Sequence, residues 1–202
     1  MPPEQSDDLL IAMKHVCAVL RGVEVPFALA GGLAAWARGG PPTEHDIDLV
    51  LPEADASRAL DALARDGLPT ERPPEGWLVK AWHGDVLVDL IFRPAGLTID
   101  AAFIDACEDL SVYAMRLPVI SADDLLATKL LAISEHHLDF GPPLQWARSL
   151  REQIDWSLLA RRTAGSPFAC AFLTLVVELG IAPRREVAFP RFTHLEAVDV
   201  RK

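Results

Sequence analysis

The run Asp46-Ile47-Asp48-Leu49-Val50-Leu51 alternates acid with hydrophobe and then turns wholly apolar, the period of a strand with one face in a core. As a strand it sends Asp46 and Asp48 to one side and Ile47, Leu49 and Leu51 to the other. Two carboxylates pointing at one spot repel, and each raises the pKa of the other unless a cation sits between them. A third acid, Asp89, stands inside the apolar run Val86-Leu87-Val88-Asp89-Leu90-Ile91-Phe92, where an unpartnered carboxylate is costly. If the two runs lie side by side, three carboxylates converge. That donor set suits magnesium, which takes oxygen ligands and is usually held by a few carboxylates plus substrate phosphates. Two such ions, about 3.5–4 Å apart, would stabilise both the attacking and the leaving oxygen of an in-line displacement. The competing account of Asp46 and Asp48 is a pair of solvated acids at a strand end or helix cap, and Asp85 reads as a turn residue.

The rest of the chain supplies a sheet for these runs and then changes character. Leu9, Leu10, Met13, Val16, Cys17 and Leu20 recur at helical spacing, so residues 6–21 read as an amphipathic helix closed by Gly22. A buried strand over 25–30 follows, then Gly31-Gly32, a short helix over 33–38 and the turn 39–42. After the acidic strand come a helix over 54–65, a loop at 72–76, and strands 77–82 and 86–92 joined by His83-Gly84-Asp85. Residues 99–108 read as helix and 111–120 as extended. From Ser121 the pattern is helical, with segments at 121–137, 142–151, 155–163 and 167–179, and the residues from 181 read as a tail.

Gly31-Gly32 sits between a buried strand and a helix, so backbone N–H groups there can face an anion with no side chain in the way; a plain tight turn is the alternative. The sequence Ala30-Gly31-Gly32-Leu33-Ala34-Ala35-Trp36-Ala37-Arg38, followed by Thr43-Glu44-His45-Asp46-Ile47-Asp48-Leu49 and then Val88-Asp89, resembles the nucleotidyltransferase superfamily in order and spacing. The resemblance implies an α+β fold: a polymerase-beta-like core with a mixed sheet at 1–120, a helical substrate-binding region at 121–180 and a tail at 181–202. It also implies roles. Gly31, Gly32 and Arg38 would bind the nucleoside triphosphate, Asp46 and Asp48 would ligate metal, and Asp89 would complete the site and activate an acceptor hydroxyl.

Ser121-Ala122-Asp123-Asp124 has the form of a capping box, and Lys129 lies within the apolar face of the helix that follows. It reads either as a snorkelling side chain or as a cation aimed at phosphates. Leu125 to Ala132 looks like the lysine-bearing helix of AbiEii-type toxin nucleotidyltransferases, which makes Lys129 a phosphate contact and suggests Asp155 as a further site acid. Asp155 also suits a helix N-cap before Trp156-Ser157-Leu158. Neighbouring His136 and His137 point about 100° apart on a helix, so solvent or packing roles suit them.

Composition bears on the acceptor. The formal charge is −10, all of it from residues 1–120, which hold 9 Lys/Arg against 19 Asp/Glu, while 121–202 hold 10 of each. The neutral part carries Arg148, Arg151, Arg161 and Arg162, which suits RNA; the acidic part suits a polycationic drug. The resemblance thus leads to nucleotidyl transfer from an NTP, with two Mg²⁺ ions, onto tRNA or a protein in the manner of a toxin with a small antitoxin partner. The alternatives are an aminoglycoside or lincosamide acceptor, and a catalytically dead binding module. The acidic N-terminus and the lack of any apolar run near ~20 residues predict a cytoplasmic protein without membrane contact. Cys17, Cys107 and Cys170 are too scattered for a disulfide framework or a zinc knuckle and read as small buried hydrophobes.

Overall fold

The computed structural model describes residues 3–43 and 46–187. Helix α1 (Pro3–Gly22) opens the chain and buries Leu9, Met13, Val16, Cys17 and Leu20 along one face. Gly22 belongs to the helix; the reversal comes two residues later, at Glu24 with φ 52°. Then follow β1 (Ala28–Leu29), α2 (Gly31–Ala37), β2 (Asp46–Val50), α3 (Glu53–Arg65), β3 (Thr70–Glu71), β4 (Leu78–His83) and β5 (Val86–Ile91). A short helix α4 (Ala101–Asp105) precedes β6 (Glu108–Val112) and β7 (Met115–Val119), and the chain continues through α5 (Ala122–Leu131), α6 (Gly141–Ser149), α7 (Trp156–Thr163) and α8 (Pro167–Glu178).

The strands form one mixed sheet of seven, in the order β3-β4-β5-β2-β1-β7-β6. Strands β2 and β5 run parallel, as do β1 and β7, and the other neighbours are antiparallel. Alternation does the sorting expected of it. Ile47, Leu49, Val79, Ala81, Val88 and Leu90 are buried on the side where α1 and α3 pack. The opposite side carries Asp46, Asp48, Lys80 and Asp89, all only half-buried. The α+β class and the mixed sheet are as expected from the sequence. A single hydrophobic cluster runs from Leu9 to Val187, joining sheet and helices, and α5 lies against α2.

Several elements differ from the sequence expectation. Residues 111–120 are not one extended stretch but most of a hairpin, β6 and β7, closed by Tyr113-Ala114 with φ of 47° and 64°. Two positive φ values fit a type I′ turn, normally advertised by Asn-Gly, so the sequence carries no signal. Here the Tyr113 ring stacks on Trp36, with centroids 4.9 Å apart, which helps to hold an unfavourable backbone. The helix expected over 99–108 is shorter because Asp100 caps it and the chain enters β6 at Glu108. The helix expected over 121–137 stops at Leu131, and His137 N–H closes a tight turn onto the Ser134 carbonyl. Strand β3 lies in a polar stretch with no alternation to betray it. In the expected tail, Ala182 and Val187 pack into the core, and residues 188–202 lie outside the described residues.

Helix α5 is anchored at its start. Ser121 Oγ accepts from the Asp124 N–H at 3.1 Å, and Asp124 in turn pairs with Arg162 of α7 at 2.7 Å. Asp123 accepts the Asp155 N–H at 2.8 Å, a second tie between the two helices. Replacing Ser121 by Ala should destabilise the fold by about 1 kcal/mol, read as a lower urea midpoint with unchanged slope.

Candidate active site

Each carboxylate of the site is placed by a strand, and register brings them together. Because β2 and β5 are parallel, Asp48 and Asp89 are Cα partners across the ladder, and Asp46 stands two residues before Asp48 on the same face. One carboxylate oxygen from each of Asp46, Asp48 and Asp89 lies within 4.8 Å of the others. Among the described residues this is the one group of three or more His, Cys, Asp or Glu close enough to share an ion.

Such crowding has an electrostatic cost. Burial, then the charges of Asp46 and Asp89, push the Asp48 carboxyl up to about 7, against the opposing pull of Lys129 and Lys80. A divalent cation would remove that cost, and the donors, all carboxylate oxygens, are those that magnesium prefers. The residues present therefore fit the ion that the sequence reading requires.

The first glycine of the pair lies against this cluster. Gly31 opens α2 at φ +58°, and a Cβ there would stand 1.8 Å from Asp48 Oδ2. Neither the backbone angle nor the space admits a side chain. A Cβ on Gly32 would meet Thr43 Oγ1 at 2.5 Å, so Thr43 is packed beneath the same turn. The Ala30 N–H donates to the Asp48 carbonyl at 2.9 Å, tying this turn to the acidic strand. These contacts give the glycines a geometric necessity that holds for a plain turn and for a phosphate cradle alike.

The other expected residues divide into two groups. Lys129 is exposed on α5, yet close enough for its charge to lower the pKa of Asp48. Arg38 is turned toward the far half of the sheet. Its guanidinium donates to the Ile120 and Val119 carbonyls at 2.7 and 3.0 Å and to Glu108 at 3.1 Å, bracing β6 and β7 against α2. Asp155 caps α7, accepting the Leu158 N–H at 2.8 Å and the Ser157 hydroxyl at 2.8 Å, bonds that hold its carboxyl below the usual range. Arg162 is engaged with Asp124, whereas Arg148, Arg151 and Arg161 are exposed. His136 and His137 lie in the exposed loop after α5, and Asp85 lies in the exposed loop between β4 and β5.

One residue of the cluster escaped the sequence reading. Lys80 of β4 donates to Asp89 Oδ1 at 2.9 Å, and both side chains are largely shielded. The expected loop His83-Gly84-Asp85 is one residue too long: His83 pairs with Val86 across a two-residue loop, and that register pairs Lys80 with Asp89.

No family model and no curated protein matches the chain at a significant level. Solved structures do match. The solution structure of the antibiotic-resistance factor ANT(2'')-Ia aligns with a TM-score of 0.53 at 19% identity, over 83% of this chain and 92% of that one. The crystal structure of ANT(2'')-Ia with adenylyl-2''-tobramycin aligns with a TM-score of 0.55 at 17% identity, over 82% of this chain and 98% of that one. A Thermotoga maritima protein assigned as a nucleotidyltransferase aligns with a TM-score of 0.50 at 17% identity, over 64% of this chain and 85% of that one. With its mixed sheet and flanking helices, this chain shares the fold of these solved structures.

Proposed function

We propose that the protein transfers a nucleotidyl group from a nucleoside triphosphate to an acceptor hydroxyl, with Asp46, Asp48 and Asp89 holding magnesium. The observation that carries this reading is the convergence of three carboxylates within 4.8 Å, one of which, Asp48, lies against Gly31. When bound, the metal would supply charge neutralisation for the phosphates and for the developing negative charge on the reacting oxygens. The chain itself supplies position. The Gly31-Gly32 turn offers backbone N–H groups to a triphosphate beside the acidic strand, and the exposed Lys129 adds a positive charge close enough to act on Asp48. Asp89 accepts the proton of the acceptor hydroxyl as that oxygen attacks the α-phosphorus; the bond to the leaving pyrophosphate breaks.

For the acceptor we favour a small cationic molecule bearing hydroxyls, in the aminoglycoside class. Its support is electrostatic. The carboxylate cluster lies in the half of the chain that holds the whole negative excess, and a field of that sign draws a polycation. The toxin-like alternative, transfer to tRNA or to a protein under the control of a small antitoxin, rests on the resemblance of the Lys129 helix. Exposed Arg148, Arg151 and Arg161 favour it, but Arg162 is already paired with Asp124.

Asp46→Asn and Asp48→Asn should each abolish transfer of label from a radiolabelled triphosphate while preserving the far-ultraviolet circular dichroism spectrum; full activity in either would refute the site. Asp48→Asn carries a pH signature as well. The folded carboxyl ionises only near 7, whereas the unfolded one ionises near ~3.9, so the metal-free wild type loses stability as pH rises between them. In chelator, the Asn variant should melt higher than wild type at pH 8, and the gap should close as pH falls toward about 4.

A triphosphate with Mg²⁺ should raise the melting temperature far more than either alone, and Lys129→Ala should shrink that shift. The acceptor is read by offering labelled triphosphate, Mg²⁺, total tRNA, a protein extract and an aminoglycoside panel in parallel. Label is expected in the drug fraction, and Arg161→Glu should leave that transfer intact; label in tRNA, lost in Arg161→Glu, would favour the toxin-like reading instead.

A further inference from the structure

Across the acidic face of the sheet, four neighbouring strands contribute one continuous row. Glu71 of β3 partners Lys80 of β4, Lys80 partners Asp89 of β5, and Asp89 partners Asp48 of β2. Cα partners point to the same face, so the row reads acid, base, acid, acid. Lys80 Nζ stands 2.9 Å from Asp89 Oδ1, and the pair is partly shielded, with side-chain exposures of 26% and 14%. Glu71, on the other side of Lys80, is exposed.

We infer that Lys80 is a positioning residue that acts as a built-in counter-cation, competing with the divalent metal for Asp89 and transferring toward Glu71 when the metal enters. The inference rests on reading the three carboxylates as the metal site. Its logic is charge balance. With all three carboxylates ionised the cluster carries three negative charges, and the Lys80 ammonium offsets one of them by direct contact with the Asp89 carboxylate. A cation arriving at Asp89 meets that ammonium a few ångströms away, and like charges at such range repel strongly in a half-buried setting. Lys80 thus lowers the affinity of the site for a bare divalent ion. The negative charge of a triphosphate offsets that repulsion, so metal and nucleotide load together. Glu71, one strand further out, offers the displaced ammonium a second carboxylate on the same face.

The experiment measures Mn²⁺ binding to the full chain by electron paramagnetic resonance, without nucleotide or acceptor, so that catalysis plays no part. Lys80→Met should bind Mn²⁺ roughly tenfold more tightly than wild type, because a neighbouring positive charge is gone. Lys80→Arg, which keeps the charge, should stay near wild type. Glu71→Gln, an exposed change on a short edge strand, should weaken Mn²⁺ binding several-fold by leaving Lys80 with Asp89 alone. A Lys80 that merely braced the strands would give the opposite sign in Lys80→Met, a looser site and weaker binding, and that result or unchanged affinity overturns the inference. Unchanged binding in Glu71→Gln overturns the transfer toward Glu71. Asp48→Asn separates the two levels: if it removes the Mn²⁺ site while Lys80→Met leaves affinity unaltered, the metal reading stands and the role of Lys80 falls. If Asp48→Asn removes no Mn²⁺ site, both fall.

Discussion

Mutual repulsion among Asp46, Asp48 and Asp89 is the constraint around which the acidic face of this protein is arranged. Three carboxylates within 4.8 Å are held there by the parallel ladder between β2 and β5, whose other side is buried beneath α1. The hydrophobic side therefore stabilises a placement that the polar side opposes. The rise of the Asp48 pKa to about 7 is the mark of that opposition, and Lys80 and Lys129 only partly relieve it. A site with this imbalance is suited to a divalent cation, because binding one removes a cost already present in the fold.

The surroundings of the cluster follow from the need to keep it accessible while fixing its geometry. Gly31 is glycine because its φ is positive and because Asp48 Oδ2 occupies the space a side chain would fill. Thr43 sets the same limit on Gly32. Arg38 ties α2 to the end of β7 through two carbonyls, so the glycine turn is braced from behind. Helix α5, which carries Lys129, is fixed at its first turn by Ser121 and locked to α7 through Asp124 and Arg162. Helical elements thus present the charged side chains.

Charge distribution separates the two halves of the chain as clearly as secondary structure does. The half bearing the sheet holds the entire negative excess, and the helical half is neutral. Arg162 is paired with Asp124, whereas Arg148, Arg161 and Arg151, on α6, α7 and the turn between them, are exposed. The same acidic field that suits a cationic acceptor would oppose RNA approaching over the sheet.

The amino-acid sequence by itself determined the faces. Alternation at 46–51 and 86–92 decides which side chains point to the core and which to the carboxylate cluster, since a strand has a period of two whatever lies beside it. It also determined the glycine turn and the Ser121 cap, whereas the pairing of Lys80 with Asp89 follows from His83 joining the strand, which shortens the hairpin loop to Gly84-Asp85. Tertiary structure alone decided the rest. That Asp48 stands opposite Asp89 depends on a parallel pairing between strands about forty residues apart, which crossover packing sets and local pattern does not. The Tyr113-Ala114 reversal, stabilised by a stack on Trp36, has no local turn signal at all. The hydrogen bonds of Arg38 and Asp155 belong with these, because a charged side chain near a motif is equally compatible with a ligand and with a brace. Only the positions of the Ile120 carbonyl and the Leu158 N–H show which bonds these two side chains make.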